Sequence, residues 1–407
     1  MEQAADVIVI GGGASGMVAA IAAARCRDRV LILEKAPAMG KKLLATGNGR
    51  CNLMNKNPGR YYGDRDFAAQ VLGKNPVSTL TTFWRSLGLL LAYDGEGRGY
   101  PCTYLASTVA DCLKEELRRQ GTQAMTGMGV TEIQPLSRAF RVRTSEGAVY
   151  NASRVILATG GAAQPKLGGN QEAWPWLEKL GHTLVAGRPS LTPLRTDRRS
   201  ISGLAGLRVK GEVTLFRQGK ALEKERGEML FTETGVSGIC VMQLSRFAQP
   251  GDKIRIRLLG NIFEEEAQLL EELIRRRNVY GAEPPENLWR GMLAPKLGYA
   301  VCKQAGLALR GEACRDLDEQ QLNRLAKTAM GYWVQVEALE GFDRAQVMAG
   351  GVRCQELDGQ TMASRLWPGL HVTGELTNVD GECGGYNLMY AAMSGLRAGW
   401  NGRMEAE

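Results

Sequence analysis

The chain has 407 residues, 44 % of them hydrophobic and 23 % charged, which allows two or three globular domains with a large core. Its net charge of +8 comes from scattered Lys and Arg; the longest basic run, residues 275–277, stands beside Glu271 and Glu272 and reads as a solvated helix face. Two histidines, His182 and His371, leave zinc sites and histidine acid–base machinery little material, and the pattern predicts no metal.

Nine cysteines without a Cys-x-x-Cys pair, and no signal-peptide pattern ahead of the first apolar segment, predict reduced thiols and a cytoplasmic protein. The uncharged stretch 7–24 has the length of a membrane span, but Gly11, Gly12, Gly13 and Gly16 break it into a strand and a helix, so no membrane association is expected.

The first element is the β-branched run 6–10. Gly11-Gly12-Gly13-Ala14-Ser15-Gly16 follows with G-x-G-x-x-G spacing, then an alanine-rich helix to about Arg27, then a second strand, 29–33, closing at Glu34. Each part has a physical task. Gly11 permits the tight turn, Gly13 lets a pyrophosphate touch backbone, and Gly16 lets helix and strand approach closely. The first helical amides face the anion, and Glu34 accepts hydrogen bonds from the hydroxyls of an unphosphorylated ribose. This βαβ unit predicts dinucleotide binding.

Residues 39–52, Met-Gly-Lys-Lys-Leu-Leu-Ala-Thr-Gly-Asn-Gly-Arg-Cys-Asn, are too rich in glycine and polar groups to suggest helix or strand and predict a ligand loop. Lys41 or Lys42 can neutralise a pyrophosphate there. A β-meander is expected over 128–150. The run Val155-Ile-Leu-Ala-Thr-Gly-Gly161 then reads as a buried strand entering glycines.

From Leu191 to about Ala345 the pattern changes. Alternating stretches 207–216 and 253–258 predict antiparallel strands, and 264 to about 339 reads as short helices divided by Pro284, Pro285 and Pro295. The expected organisation is a discontinuous domain of 1–190 and 345–407, a β-rich insert of 191–262 and a helical cap of 263–344. Trp289, Tyr299, Tyr332 and Trp333 line a pocket at the domain junction or, as spaced aromatics in short helices more often do, fill a core. Near the C-terminus, 369–375 predicts a strand ending in Gly374-Glu375, followed by Asp380-Gly-Glu-Cys-Gly-Gly-Tyr-Asn-Leu388 and a helix to Trp400.

Together these motifs resemble the two-dinucleotide-binding-domain flavoproteins, and most of all the family of bile-acid 3-dehydro-Δ4,6-reductase-like and aminoacetone-oxidase-like FAD proteins. The likeness spans nearly the whole chain. It implies an α/β fold, with a Rossmann-like FAD-binding domain, an inserted antiparallel β domain and a small helical cap. It implies FAD contacts at Gly11, Gly13, Ala14, Ser15, Gly16, Glu34, Lys35, Lys41, Asn48, Gly49, Arg50, Cys51 and Asn52, adenine contact by Val130, and passage of Ala158, Thr159 and Gly160 near the cofactor. Gly374, Glu375, Gly385, Asn387 and Leu388 complete the implied set.

Two stretches depart from the family pattern. Residues 162–172 replace small hydroxyl residues and a Ser/Thr-Gly-Asp-Gly-like turn, and Met54 stands where threonine is common, so the resemblance does not carry one particular substrate. The expected activity is that of an FAD-dependent oxidoreductase moving hydride between flavin and a small or steroid-like organic substrate. NAD(P)H is a candidate transient donor, since no second G-x-G-x-x-G provides a dedicated nicotinamide site. An oxygen-using amine oxidase, an RNA-acting flavoprotein and a non-catalytic flavin module are the alternatives. Scattered charge without a basic-aromatic motif leads us to expect no nucleic-acid partner. Catalytic side chains and oligomeric state are not legible; Cys51, Glu382, Cys383 and Tyr386 are the candidates nearest the flavin motifs.

Overall fold

The structure, a computed structural model, describes residues 3–307 and 311–403. Two compact units divide the chain: 1–189 with 346–407, and 190–345.

The first unit is built on a seven-stranded sheet. Its strands run in the order Gln123–Thr126, Val30–Glu34, Gln3–Ile10, Val149–Leu157, Phe140–Thr144, Val130–Pro135, with Leu370–Val372 also paired to Val149–Leu157. The inner pairings, between Gln3–Ile10 and each of Val30–Glu34 and Val149–Leu157, are parallel. Such strands are covered on both faces, so they read as unbroken apolar runs. The meander and the later buried strand, taken separately in the sequence, are continuous: Val149–Leu157 pairs antiparallel with Phe140–Thr144 at its start and parallel with Leu370–Val372 at its end.

Against this sheet lies the helix Ala14–Arg25, buried along nearly its whole length, and against that helix lies the C-terminal helix Tyr386–Trp400. Small residues set their separation. A Cβ on Gly395 would stand 2.5 Å from Ser15 O, and one on Gly399 would stand 2.4 Å from Ala19 O. Two chain segments 380 residues apart, Ser15 against Gly395 and Ala19 against Gly399, are thereby locked together.

The second unit is a closed barrel of Leu194–Thr196, Gly235–Ser237, Lys220–Phe231, Arg208–Arg217, Lys253–Arg257 and Tyr332–Leu339, flanked by helices Glu266–Val279, Pro295–Gln304 and Glu319–Ala329. This corrects the reading of 263–344 as a helical cap. Tyr332–Leu339 is the strand that closes the barrel, pairing with both Lys253–Arg257 and Leu194–Thr196. Barrel and helices share one core, in which Phe231, Ile254, Ile256, Val334 and Val336 meet Leu269, Leu288, Trp289 and Leu322. The physical cause is that Tyr332, Val334 and Val336 alternate with exposed Trp333, Gln335 and Glu337.

Of the four aromatics considered for a pocket, Trp289 and Tyr332 are core residues; Tyr299 and Trp333 are exposed. Among the described residues no helix is long and apolar enough to cross a membrane.

Candidate cofactor site

The glycine turn closes on three elements at once. A Cβ on Gly16 would lie 1.9 Å from Gly11 O, and one on Gly11, whose φ is +105°, would lie 2.4 Å from Ala158 O. Only glycine permits these approaches. Ala158, buried at the end of the central strand, donates its N–H to Ile10 O at 2.9 Å, so Ala158, Thr159 and Gly160 follow the turn closely. Gly374 joins the cluster from the C-terminal segment, where a Cβ would meet Ser15 Oγ at 2.8 Å.

At Gly13 the surroundings reverse. A Cβ there meets nothing within 4 Å, although Gly13 opens a helix with no side-chain cap. Open space in front of uncapped helix amides is what an anion requires. Gly49 and Gly160 also face open space.

Glu34 ends the second strand with its carboxylate fixed between backbone donors. Gly12 N–H donates to Oε2 and Ala36 N–H to Oε1, each at 2.6 Å. Lys35 points away to an exposed ion pair with Glu172, while Gly129, next to Val130, approaches the Lys35 stem. Val130 itself is buried at the start of its strand.

The segment read as a loop contains one helical turn, Lys41–Ala45, then the 3-10 turn Thr46–Gly49. Gly40, at φ +78°, supplies the left-handed entry that made the local composition look irregular. Lys42 donates to Glu375 Oε2 at 2.7 Å, and Glu375 Oε1 accepts Met348 N–H at 2.7 Å. Lys41 is exposed, as are Asn48 and Arg50. Lys42 and Met348, rather than Lys41, therefore set the position of Glu375; the neighbouring positive charge at residue 41 concealed that choice in the sequence.

A second convergence joins residues 51–62 to 379–388. Gly385, at φ +103°, precedes the helix Tyr386–Trp400, which has no side-chain cap. A Cβ on Gly385 would lie 2.6 Å from both Asn52 Oδ1 and Met54 O. Asn52 Oδ1 is buried and has no hydrogen-bond partner in the structure. Asn55, which the sequence did not single out, donates to Gly384 O at 3.0 Å. Tyr61 donates to Tyr386 O at 3.0 Å, and the two rings meet edge-on, 6.1 Å apart.

Several candidates here hold the loop in shape. Asn387 Oδ1 accepts Gly381 N–H, and its Nδ2 donates to Gly381 O, both at 2.8 Å, so the side chain is occupied locally. Glu382 is ion-paired with Arg60, and Tyr386 OH reaches Asn57 O at 3.3 Å. Leu388 is half-buried against the apolar core. All nine cysteines are free thiols. Burial pushes the Cys51 thiol up to about 11 and also raises that of Cys383, so neither is poised as a thiolate at neutral pH.

Open space beside Gly13, Gly49 and Gly160, a fixed carboxylate and an orphaned buried amide oxygen suit an elongated dinucleotide with a polar ring edge, and so fit FAD. The description "HI0933-like protein Rossmann domain" matches residues 5–401.

The chain belongs to that family. It is 36 % identical to the 3-dehydro-bile acid delta(4,6)-reductase of Clostridium scindens, over 96 % of this chain and 97 % of that one. It is 29 % identical to the ribosomal RNA dihydrouridine synthase of Escherichia coli, over 95 % of each chain. Among solved structures it resembles the open form of a flavocytochrome c3 fumarate reductase, with TM-score 0.54 and 16 % identity over 98 % of this chain and 78 % of that one. A 3-ketosteroid-delta4-(5alpha)-dehydrogenase from Rhodococcus jostii gives TM-score 0.50 and 18 % identity over 99 % and 97 %. These two likenesses concern the fold. The family member is an FAD-dependent oxidoreductase.

Proposed function

We propose that this oxidoreductase saturates a carbon–carbon double bond conjugated to a carbonyl, on a steroid-like substrate, with NAD(P)H as the electron source. The observation that carries the reading is the 36 % identity, across nearly the full length of both chains, to a 3-dehydro-bile acid delta(4,6)-reductase. FAD, when bound, supplies hydride chemistry. The substrate gains hydride at the β-carbon and a proton from solvent at the α-carbon, and NAD(P)H loses one hydride, which carries its two electrons, to become NAD(P)+, so the exchange balances.

The chain's own residues bind and orient. Gly11, Gly13, Ala14, Ser15 and Gly16 receive the pyrophosphate on backbone amides, and Glu34, held by Gly12 and Ala36, takes the ribose hydroxyls. Lys35 and Val130 flank the adenine end. The Lys42–Glu375 pair, with Ala158, Thr159, Gly160 and Gly374, would hold the middle of the dinucleotide. Asn48 through Asn52 line the ring, and the uncapped helix after Gly385 presents amides from Tyr386, Asn387 and Leu388 to its electron-rich edge. Reduced thiols throughout suit work in the cytoplasm.

Anaerobic stopped-flow absorbance at the flavin band tests this reading. One nicotinamide donor should bleach the band, and an oxidised 3-oxo-Δ4,6 steroid should restore it. A flavin that neither donor reduces, or that no unsaturated ketosteroid reoxidises, would overturn the proposal.

A second reading takes RNA uridine as the acceptor. It is favoured by the likeness to ribosomal RNA dihydrouridine synthases of Escherichia coli and Haemophilus influenzae, at 29 % and 25 % identity. Dihydrouridine differs from uridine by saturation of a double bond conjugated to a carbonyl, so the same chemistry serves both substrates. Loss of uridine absorbance in RNA incubated with holoenzyme and donor would favour this reading; unchanged uridine would remove it.

A further inference from the structure

The outer face of the barrel carries a pattern that the cofactor site does not use. Across the neighbouring strands Lys220–Phe231, Arg208–Arg217, Lys253–Arg257 and Tyr332–Leu339, the pairing aligns Lys224, Thr214, Arg255 and Trp333 in one row. The next row in one direction holds Phe216, Lys253 and Gln335, and the next in the other holds Arg226, Glu212 and Arg257. Alternation turns these residues away from the interior, which Val213, Leu215, Ile254, Ile256, Val334 and Val336 fill, although Thr214 and Glu212 on this outer face are themselves buried.

Two aromatic rings lie on this polar face. Trp333 is 38 % exposed and meets Phe216 edge-on at 5.1 Å. The Arg255 guanidinium lies over the Phe216 ring, 5.1 Å from its centroid. Arg255 has no acidic partner among the described residues; its Nε is buried without a hydrogen-bond acceptor, and Lys253 is likewise without an acidic partner there. Glu212, the acid within the patch, is already matched by Lys224 and Arg226, each at 3.0 Å. Glu337, exposed one step beyond Gln335 on the same strand, marks the acidic margin.

We propose that this face binds single-stranded RNA, with a base stacked on Trp333 and phosphates held by Lys253 and Arg255. The inference rests on the RNA reading above for its biological setting and on this charge and ring arrangement for its chemistry. A flat ring accepts any base, and neighbouring unpaired cations track the backbone; this is the combination by which single strands are held. Duplex RNA offers no free base face to Trp333.

Holoenzyme titrated with a short fluorescein-labelled oligouridine, followed by anisotropy at several salt concentrations, tests the surface. Wild-type protein should bind with an affinity that falls as salt rises. Trp333→Ala should weaken binding by about tenfold, and Trp333→Phe should restore most of it. A double variant, Lys253→Gln with Arg255→Gln, should lower the salt slope by about 1.4, roughly 0.7 for each lost phosphate contact. Flavin content and thermal midpoint of each variant serve as folding controls.

Absence of wild-type binding at low salt, unchanged binding by Trp333→Ala in folded protein, or equal preference for duplex RNA would overturn the proposal. Binding that follows these variants without any uridine saturation would retain the surface and remove RNA as substrate. Uridine saturation with unchanged binding by the variants would remove the surface and retain the substrate reading.

Discussion

Both units bury large apolar side chains, but they differ in what surrounds their sites: close-packed glycine backbone in the first, barrel side chains in the second. The first unit brings backbones together: Gly11, Gly16, Gly395 and Gly399 permit contacts that a methyl group would block, and the helix Ala14–Arg25 is largely alanine. The second fills its interior with large side chains, among them Trp289, Phe231 and Tyr332. A core of close backbones leaves peptide N–H groups available for a ligand. A core of bulky side chains gives a rigid scaffold whose outer side chains can carry charge.

Truncating a large side chain should therefore injure the second unit most. Trp289 is fully buried, with its Nε1 3.3 Å from Cys302 Sγ. Trp289→Ala should cost about 3–5 kcal/mol in the urea unfolding of that unit. Retained FAD binding in the folded protein would sharpen the contrast between the two cores, and a loss below about 1 kcal/mol would break it.

Adding a side chain should injure the first unit. Gly16→Val would force atoms to within 1.9 Å of Gly11 O, a backbone atom that cannot swing aside. The expected cost is about 3 kcal/mol, with loss of flavin from the purified protein. Normal flavin content measured by absorbance would contradict the close-approach account.

Acid should also act on the first unit, through His371. Burial, helped by the Arg154 charge, lowers its pKa to about 4, while its Nδ1 lies 2.8 Å from Thr361 O. The unfolded chain takes up this proton near pH 6.5, before the fold does. The stability from neutral His371 is thus present above pH 6.5 and lost as pH falls through about 4, a change of about 3 kcal/mol. Urea midpoints measured against pH should show this loss, and His371→Asn should flatten it.

Glu34 gives a smaller effect confined to the ligand. Glu34→Ala removes a charged acceptor and should weaken FAD by about 2 kcal/mol, read by titrating apoprotein with FAD under fluorescence. Unchanged affinity would show that the carboxylate serves only Gly12 and Ala36.

Legibility in the sequence followed the range of the interactions. The turn at Gly11–Gly16 and the acid at Glu34 were readable because one local βαβ unit imposes both their spacing and their chemistry. The Lys253-Ile-Arg-Ile-Arg257 strand was readable from its alternation. Tyr332–Leu339 alternates as clearly, but it follows a helical stretch, and its role depends on partners more than 70 and 130 residues earlier.

The amino-acid sequence by itself determined the dinucleotide turn, the acidic strand end, the interruption of the first unit and the FAD-family likeness, since each is written in short-range spacing. Tertiary structure alone decided that Lys42 and Met348 position Glu375, that the side chain of Asn387 is occupied within its loop, and that Asn52 meets Gly385. It also decided that Phe216, Arg255 and Trp333 form one surface. The reason is physical: strand register and close helix contact bring together residues that are far apart along the chain, and neither is encoded in any single local stretch.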